Sequence, residues 1–496
     1  MKLVVDFTVR LKDYSMMYID CEPGLAYELS DYFSFYVPNY KFIPAYKNKL
    51  WDGKIRLFNR MTGELNAGLF VYLLKFCSER GYSVDTEETD YGLPISSKKI
   101  DTYEFNDFLE KIGLPFMPRE YQYDAVITAL QRSNAILLSP TGSGKSFIMY
   151  LLMQYYRAFL NTKNQKVLII VPTTSLVEQL TSDFKEYGMD VEKDIHKIYS
   201  GKDKITKKNV IISTWQSIYK NPRAWFQKFG MILGDECHGF KSKSLSSIMN
   251  KATEAKYRYG LTGTLDGTTT HKLVLEGLFG PVHKVTKTKS LQEDGTLAPL
   301  DIKVILLEYS KEVRKDFGKK TYQEEIEFII GNSSRNRLIS NLALASNGNT
   351  LVLFNRVDAH GKPLYEMILN KAKEGRKVFF VSGEVATSDR EAIRKIVEKQ
   401  KDSIIVASLG TFSTGINIKN LHNIIFASPS KSQIKVLQSI GRGLRQSEDG
   451  RETRLYDIAD DLHWGKHKNF TLLHSVERVK IYEAEEFKYK MIKVNI

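Results

Sequence analysis

Three short segments carry residue types suited to phosphate chemistry. The first is Ser139-Pro140-Thr141-Gly142-Ser143-Gly144-Lys145-Ser146. It follows the apolar run 135–138 and opens the apolar stretch 147–155. Strand, glycine-rich loop and helix in that order make a phosphate cradle. Glycines let successive backbone N–H groups turn inward at the positive end of a helix. Thr141, Gly142, Ser143 and Gly144 supply the cradle, Lys145 is placed to reach β and γ phosphates, and Ser146 to ligate Mg2+. The segment departs from the GxxxxGK[ST] pattern at Ser139, where that pattern has glycine. The second segment is Gly234-Asp235-Glu236-Cys237-His238, after the apolar run 229–233. A carboxylate at a strand's C-terminal end can hold Mg2+, which suits Asp235. Glu236 can then orient and deprotonate an attacking water. The third is Gln438-Ser439-Ile440-Gly441-Arg442-Gly443-Leu444-Arg445. Arg442 and Arg445 share a face if helical. Their guanidinium groups can neutralise charge on a γ-phosphate in the transition state.

These residues need elements to hold them. Apolar runs at 135–138, 167–171, 210–212 and 231–233 read as buried parallel strands, separated by amphipathic helical stretches such as 175–187. A second series of runs lies at 302–307, 350–354, 378–381, 404–407 and 424–427. The expected fold class is α/β: two tandem doubly wound parallel-sheet domains, preceded by a small α+β accessory domain and followed by a short helical tail. The expected boundaries are 1–95, 96–292, 293–460 and 461–496.

The chain has 496 residues, enough for about three domains. It is 42% hydrophobic and 26% charged, which excludes disordered, collagen-like and disulfide-stapled classes. The net charge of +14 favours a polyanionic partner. Residues 1–100 hold 13 basic and 13 acidic side chains, so the whole excess lies downstream. Within that neutral block, 41–60 still concentrates Lys47, Lys49, Lys54 and Arg56 among Tyr46, Trp51 and Phe58. Basic and aromatic side chains interleaved in this way can hold phosphates and stack on exposed bases, or form a hairpin with a small aromatic core. Cys21, Cys77 and Cys237 are too scattered for a disulfide framework or a zinc cluster. The first residues read as an alternating strand and not a signal peptide, and no run is long and apolar enough for a transmembrane helix. A cytoplasmic location is expected.

The three segments together resemble motifs I, II and VI of superfamily 2 helicases and translocases. Further pieces resemble other motifs of that superfamily, in its order, across 115–446. Pro118-Arg119-Glu120-Tyr121-Gln122 resembles the adenine-reading Q motif, so the resemblance gives Gln122, Tyr121 and Arg119 to the nucleotide. Pro172, Thr173 and Thr174 fall in a counterpart of motif Ia, Ser213 and Thr214 in the strand-contacting motif after it, and Asn355 in motif IV. With Ser382, Gly383 and Thr411 they become expected nucleic-acid contacts. Thr262 and Thr264 lie in a counterpart of motif III, to which His238 would couple the ATP site. Gln438 joins the arginines as a catalytic candidate, and Gly415 of motif V joins the nucleotide site. Trp51-Asp52-Gly53-Lys54, Lys320-Thr321-Tyr322-Gln323 and Phe412-Ser413-Thr414-Gly415 resemble the UvsW-type helicases of tailed phages. That resemblance implies an ATP- and Mg2+-dependent DNA helicase that unwinds or branch-migrates forks, Holliday junctions, D-loops and R-loops. It implies single-stranded and branched DNA as partners without sequence specificity, with RNA in R-loops and single-strand-binding or recombination proteins as further candidates, and no membrane. The location would be the cytoplasm of an infected bacterial host. An annealing factor with a regulatory ATPase and an RNA helicase stay open as alternatives, since backbone contacts do not distinguish DNA from RNA.

Overall fold

The computed structural model describes residues 5–38, 40–86, 100–199, 201, 205–265, 268–317, 320–415, 418, 420–429, 452–466 and 468–496. The chain divides into two compact units, the first ending at Val285 and the second beginning at Thr286, with the loop Pro140–Ser143 counted to the second. The expected boundary at 95/96 lies outside the described residues.

The first unit holds a seven-stranded sheet among the described residues. Its order is Val282–Lys284, Asn134–Leu138, Tyr257–Thr262, Phe229–Asp235, Lys166–Val171, Val210–Thr214 and Ile195–Ile198. Every pairing is parallel. Strand residues alternate between two cores. Val167, Ile169 and Val171 pack on one face with Leu137, Leu233 and the helix Lys145–Tyr155. Leu168 and Ile170 pack on the other with Ile136, Ile211 and Ile232. Burial on both faces is why these strands read as continuous apolar runs.

The same unit contains the N-terminal domain. Its mixed sheet runs Glu64–Asn66, Met16–Cys21, Phe7–Leu11, Val84–Thr86, and its helices Pro23–Tyr32 and Phe70–Arg80 help close a core around Phe7, Leu29, Phe33, Phe58 and Phe70. A two-stranded antiparallel ribbon, Ser34–Tyr36 with Lys54–Arg56, carries the basic segment. Arg258 ties this domain to the large sheet. It is 2% exposed, and its guanidinium donates to the carbonyls of Met249, Ala252 and Ala255 and to Ser15 Oγ.

The second unit holds another seven-stranded parallel sheet: Val378–Val381, Ile404–Ser408, Thr350–Phe354, Asn423–Phe426, Thr453–Asp461, Leu300–Glu308 and Tyr489–Asn495. The tail differs in part from its expected form. It is helical over Phe470–Ala484, but it then adds the edge strand Tyr489–Asn495 to the sheet. Buried ion pairs fix this arrangement. Asp457 accepts from Arg478 and Tyr482 of the tail helix, and Asp460 accepts from Arg335 and Tyr309. Among the described residues, no helix is long and apolar enough to cross a membrane.

Candidate active site

The phosphate loop leaves the strand Asn134–Leu138 and enters the helix Lys145–Tyr155. Gly142 and Gly144 take φ of +89° and +79°, left-handed values that other residues adopt only with strain. At Gly144 a side chain is also excluded by space: a Cβ would stand 2.4 Å from Gln122 Nε2. That contact sets Gln122 against the loop. Gln122 is buried in the first turn of the helix Glu120–Arg132, and its Oε1 accepts from the Arg119 N–H at 3.0 Å. Tyr121 is half-buried beside it and Arg119 is exposed. Within the loop, Ser143 Oγ donates to Pro140 O at 2.6 Å and Lys145 Nζ to Ser139 O at 3.3 Å. Thr141 is half-buried. Ser146 Oγ lies 3.0 Å from the Tyr187 hydroxyl.

The strand Phe229–Asp235 delivers the acidic pair. Burial pushes the Asp235 carboxyl up to about 7, helped by the Glu236 carboxylate and opposed by Lys145. Glu236 adopts φ +48°, an uncommon left-handed conformation for a non-glycine residue, and its N–H donates to Asp235 Oδ1 at 2.9 Å. From there the polar contacts run onward. His238 Nδ1 lies 3.4 Å from Glu236 Oε2 and 2.9 Å from Thr262 Oγ1. Thr262 Oγ1 donates to Thr264 O at 3.0 Å, and the Thr262 carbonyl accepts from the Ser139 N–H at 2.9 Å. The acidic pair, the threonines and the start of the phosphate loop therefore form one connected group. Cys237 takes no part: burial raises its thiol well above the usual value, and it packs in the apolar core.

The oxygen donors fit a small hard cation. A serine hydroxyl and one carboxylate, with phosphate oxygens and water to complete the set, are what Mg2+ accepts. An Asp235 carboxyl reluctant to ionise by itself is one that a cation would stabilise in its ionised form.

The expected strand-facing residues divide. Asn355 is exposed, and its Nδ2 donates to Pro429 O at 3.3 Å. Thr173 is half-buried and caps the helix Thr174–Glu186, accepting from the Leu176 N–H at 3.3 Å; Pro172 and Thr174 flank it. Gly383 adjoins Ser382 in an exposed turn. Four hydroxyls are placed otherwise. Ser213 is fully buried and its hydroxyl serves the carbonyls of Ile198 and Thr214. Thr214 is buried against Ser217, Ser382 accepts from the Glu384 N–H, and Thr411 pairs with Ser408 at 2.7 Å. All four residues are buried, Ser213 and Ser382 fully and Thr214 and Thr411 with 4% and 9% exposure. Gly415 ends the helix Leu409–Gly415. Gln438, Arg442 and Arg445 lie outside the described residues.

Between the two strands of the N-terminal ribbon, Lys47, at the end of the short helix Pro44–Lys47, and Lys49 are exposed. Lys54 Nζ sits 5.2 Å from the Tyr36 ring centroid, and Arg56 pairs with Asp52. The aromatic residues split as well. Phe58 is core, Trp51 Nε1 donates to Lys54 O at 2.8 Å, and Tyr36 and Phe42 are exposed.

Profiles of known families cover most of this framework. One described as the N-terminal region of the DNA helicase UvsW matches residues 6–87, one described as the res subunit of type III restriction enzymes matches 115–267, and the helicase conserved C-terminal domain matches 334–447. The ATP-dependent DNA helicase uvsW of Enterobacteria phage T4 is 38% identical over 99% of this chain and all of its own length. The chain belongs to the UvsW helicase family. The crystal structure of T4 UvsW, 35% identical, superposes over 99% of this chain and all of its own, with a TM-score of 0.52. A fragment of a type I restriction HsdR subunit from Vibrio vulnificus shares the fold at 16% identity, with a TM-score of 0.58 over 85% of this chain and 74% of its own. The UvsW-family chain is thus an ATP-dependent helicase built on two RecA-like domains.

Tyr187 was not legible as a site residue. No motif spacing marks a tyrosine 41 positions after the loop serine that it touches.

Proposed function

We propose that this UvsW-family helicase is an ATP-driven motor on DNA, acting on branched substrates such as forks, Holliday junctions, D-loops and R-loops in recombination, repair and replication restart, in the cytoplasm of an infected bacterium. The observation that carries the reading is the connected group from Ser139 through Thr262 and His238 to Glu236 and Asp235, set beside Lys145. In this reading Lys145 and the loop N–H groups hold the β and γ phosphates. Ser146 and Asp235 hold Mg2+, which would neutralise phosphate charge when bound. Glu236 orients the water and takes its proton. Gln122, with Arg119 and Tyr121, selects adenine, and Gly415 lies near the nucleotide. Gln438, Arg442 and Arg445, carried by the second RecA-like domain, are the remaining catalytic residues of this reading. His238 and Thr262 pass the change at the γ-phosphate to the strand-holding residues, including Thr173, Thr174 and Asn355. Lys47, Lys49 and Lys54 bind backbone phosphates at the branch, with Phe42 exposed for stacking.

The test is ATP hydrolysis measured with single-stranded, duplex, forked and four-way DNA and with RNA at fixed salt. The reading expects the largest stimulation by branched DNA. Stimulation by RNA alone would overturn it.

A further inference from the structure

The loop serine has a neighbour that the phosphate-loop pattern does not supply. Tyr187 closes the helix Thr174–Glu186, and its hydroxyl lies 3.0 Å from Ser146 Oγ. Four rings surround it, the most distant being Phe184 of its own helix at a centroid distance of 6.5 Å. Phe147, the residue after Ser146, meets the Tyr187 ring edge-on at a centroid distance of 5.0 Å. Tyr150, one turn further along the same helix, stands at 5.4 Å, and Phe116 at 5.9 Å. Phe147 and Tyr150 are themselves buried in the main core of the unit. A ring packed this way brings its oxygen to one place. The backbone fixes it too, because the Tyr187 N–H donates to the carbonyls of Asp183 and Lys185.

A hydroxyl that ligates a cation uses an oxygen lone pair and keeps its proton. That proton needs an acceptor. The acceptor's position decides which way the lone pairs point. We propose that Tyr187 is a positioning residue for the metal of the nucleotide site: its phenol oxygen accepts the Ser146 hydrogen bond and turns a serine lone pair toward Mg2+. The inference rests on the reading of Ser146 as a Mg2+ ligand and goes beyond it by naming what orients that ligand. Outer partners of this kind change metal affinity about 10–100-fold when removed. The helix that Tyr187 closes is capped at its other end by Thr173, so one rigid element joins a strand-facing candidate to the metal ligand.

Equilibrium binding of a fluorescent ATP analogue to the full chain tests this. It is measured in EDTA and in saturating Mg2+ for the wild type, Tyr187→Phe, Ser146→Ala and the double variant. Phenylalanine keeps the ring and removes only the oxygen. The expected result is unchanged affinity in EDTA and a loss of about tenfold in the Mg2+-dependent tightening. In the Ser146→Ala background, Tyr187→Phe should add nothing. Two results would overturn the proposal: full Mg2+-dependent tightening in Tyr187→Phe, or equal weakening in both media, which would mean that the ring merely packs the loop or the fold. A wild type that binds the analogue no more tightly with Mg2+ would overturn the Mg2+ reading of the site itself.

Discussion

Asp235 and Glu236 are adjacent carboxylates in different circumstances. Asp235 ends a buried strand and titrates near 7, while Glu236 is turned into a left-handed backbone conformation toward His238. Below pH 7 the unliganded Asp235 carries a proton, and a bound cation needs it ionised. Binding of the preformed Mg2+–nucleotide complex should therefore release more protons at pH 6 than at pH 8, a difference that Asp235→Asn should lose. Calorimetry in buffers of different ionisation enthalpy reads this directly; equal release at both values would contradict it. Lys145 offers a simpler test. Replacing it by alanine removes the cation aimed at the phosphates, with an expected loss of about 100-fold or more in hydrolysis rate. His360 is the residue to watch in acid. It is fully buried between Ser428 and Asn336, and burial, with the Arg335 charge second, lowers it to about 3. Its folded value lies below the unfolded one, so the stability it contributes is present above pH 6.5 and is lost as pH falls toward 3. His360→Gln should flatten part of that decline in an unfolding titration, even if the variant is less stable at pH 7.

Elements differ in how far the sequence announced them. The strand Lys166–Val171 and its neighbours were legible because both faces are apolar. Two central strands were not. Tyr257–Thr262 has Arg258 as its second residue, and Thr453–Asp461 contains Asp457, Asp460 and Asp461. A charge inside a strand breaks the apolar signal, and only tertiary partners restore the balance. Arg258 finds three carbonyls and a hydroxyl, Asp457 finds Arg478 and Tyr482, and Asp460 finds Arg335 and Tyr309. The terminal strand Tyr489–Asn495 was illegible for a related reason. It is a mostly exposed edge, so its pattern is mixed, and the tail read as helix throughout. At the site, the phosphate loop was read from its glycines between an apolar run and an apolar helix, and the acidic pair from its place after an apolar run together with that loop, whereas the buried placement of Ser213 and Ser382 was not legible. Spacing cannot say which way a hydroxyl points. The tail pair gives a prediction at this scale. Arg478→Met leaves the buried Asp457 carboxylate with the Tyr482 hydroxyl but no countercharge, and should cost about 3–5 kcal/mol in denaturant unfolding. Hydrogen exchange should rise in Phe470–Ala484 and Tyr489–Asn495 together; exchange unchanged in the edge strand would show that the ion pair does not anchor it.

Over the whole molecule, the charge excess lies outside the N-terminal hundred residues, yet the connection between the two ribbon strands exposes Lys41, Lys47 and Lys49. If Lys47 and Lys49 touch phosphates, Lys47→Glu with Lys49→Glu should weaken forked-DNA binding and reduce the slope of log affinity against log salt by about two. An unchanged slope would assign both lysines to solvent. The larger claim is that one nucleotide, held by Lys145 and hydrolysed with Glu236, drives strand separation. Displacement of a labelled strand from forked DNA by the full chain, with ATP and Mg2+, measures it most directly when the wild type is set beside Glu236→Gln. The account predicts that the variant still binds the nucleotide and the fork but releases almost no strand. Release at the wild-type rate would contradict it.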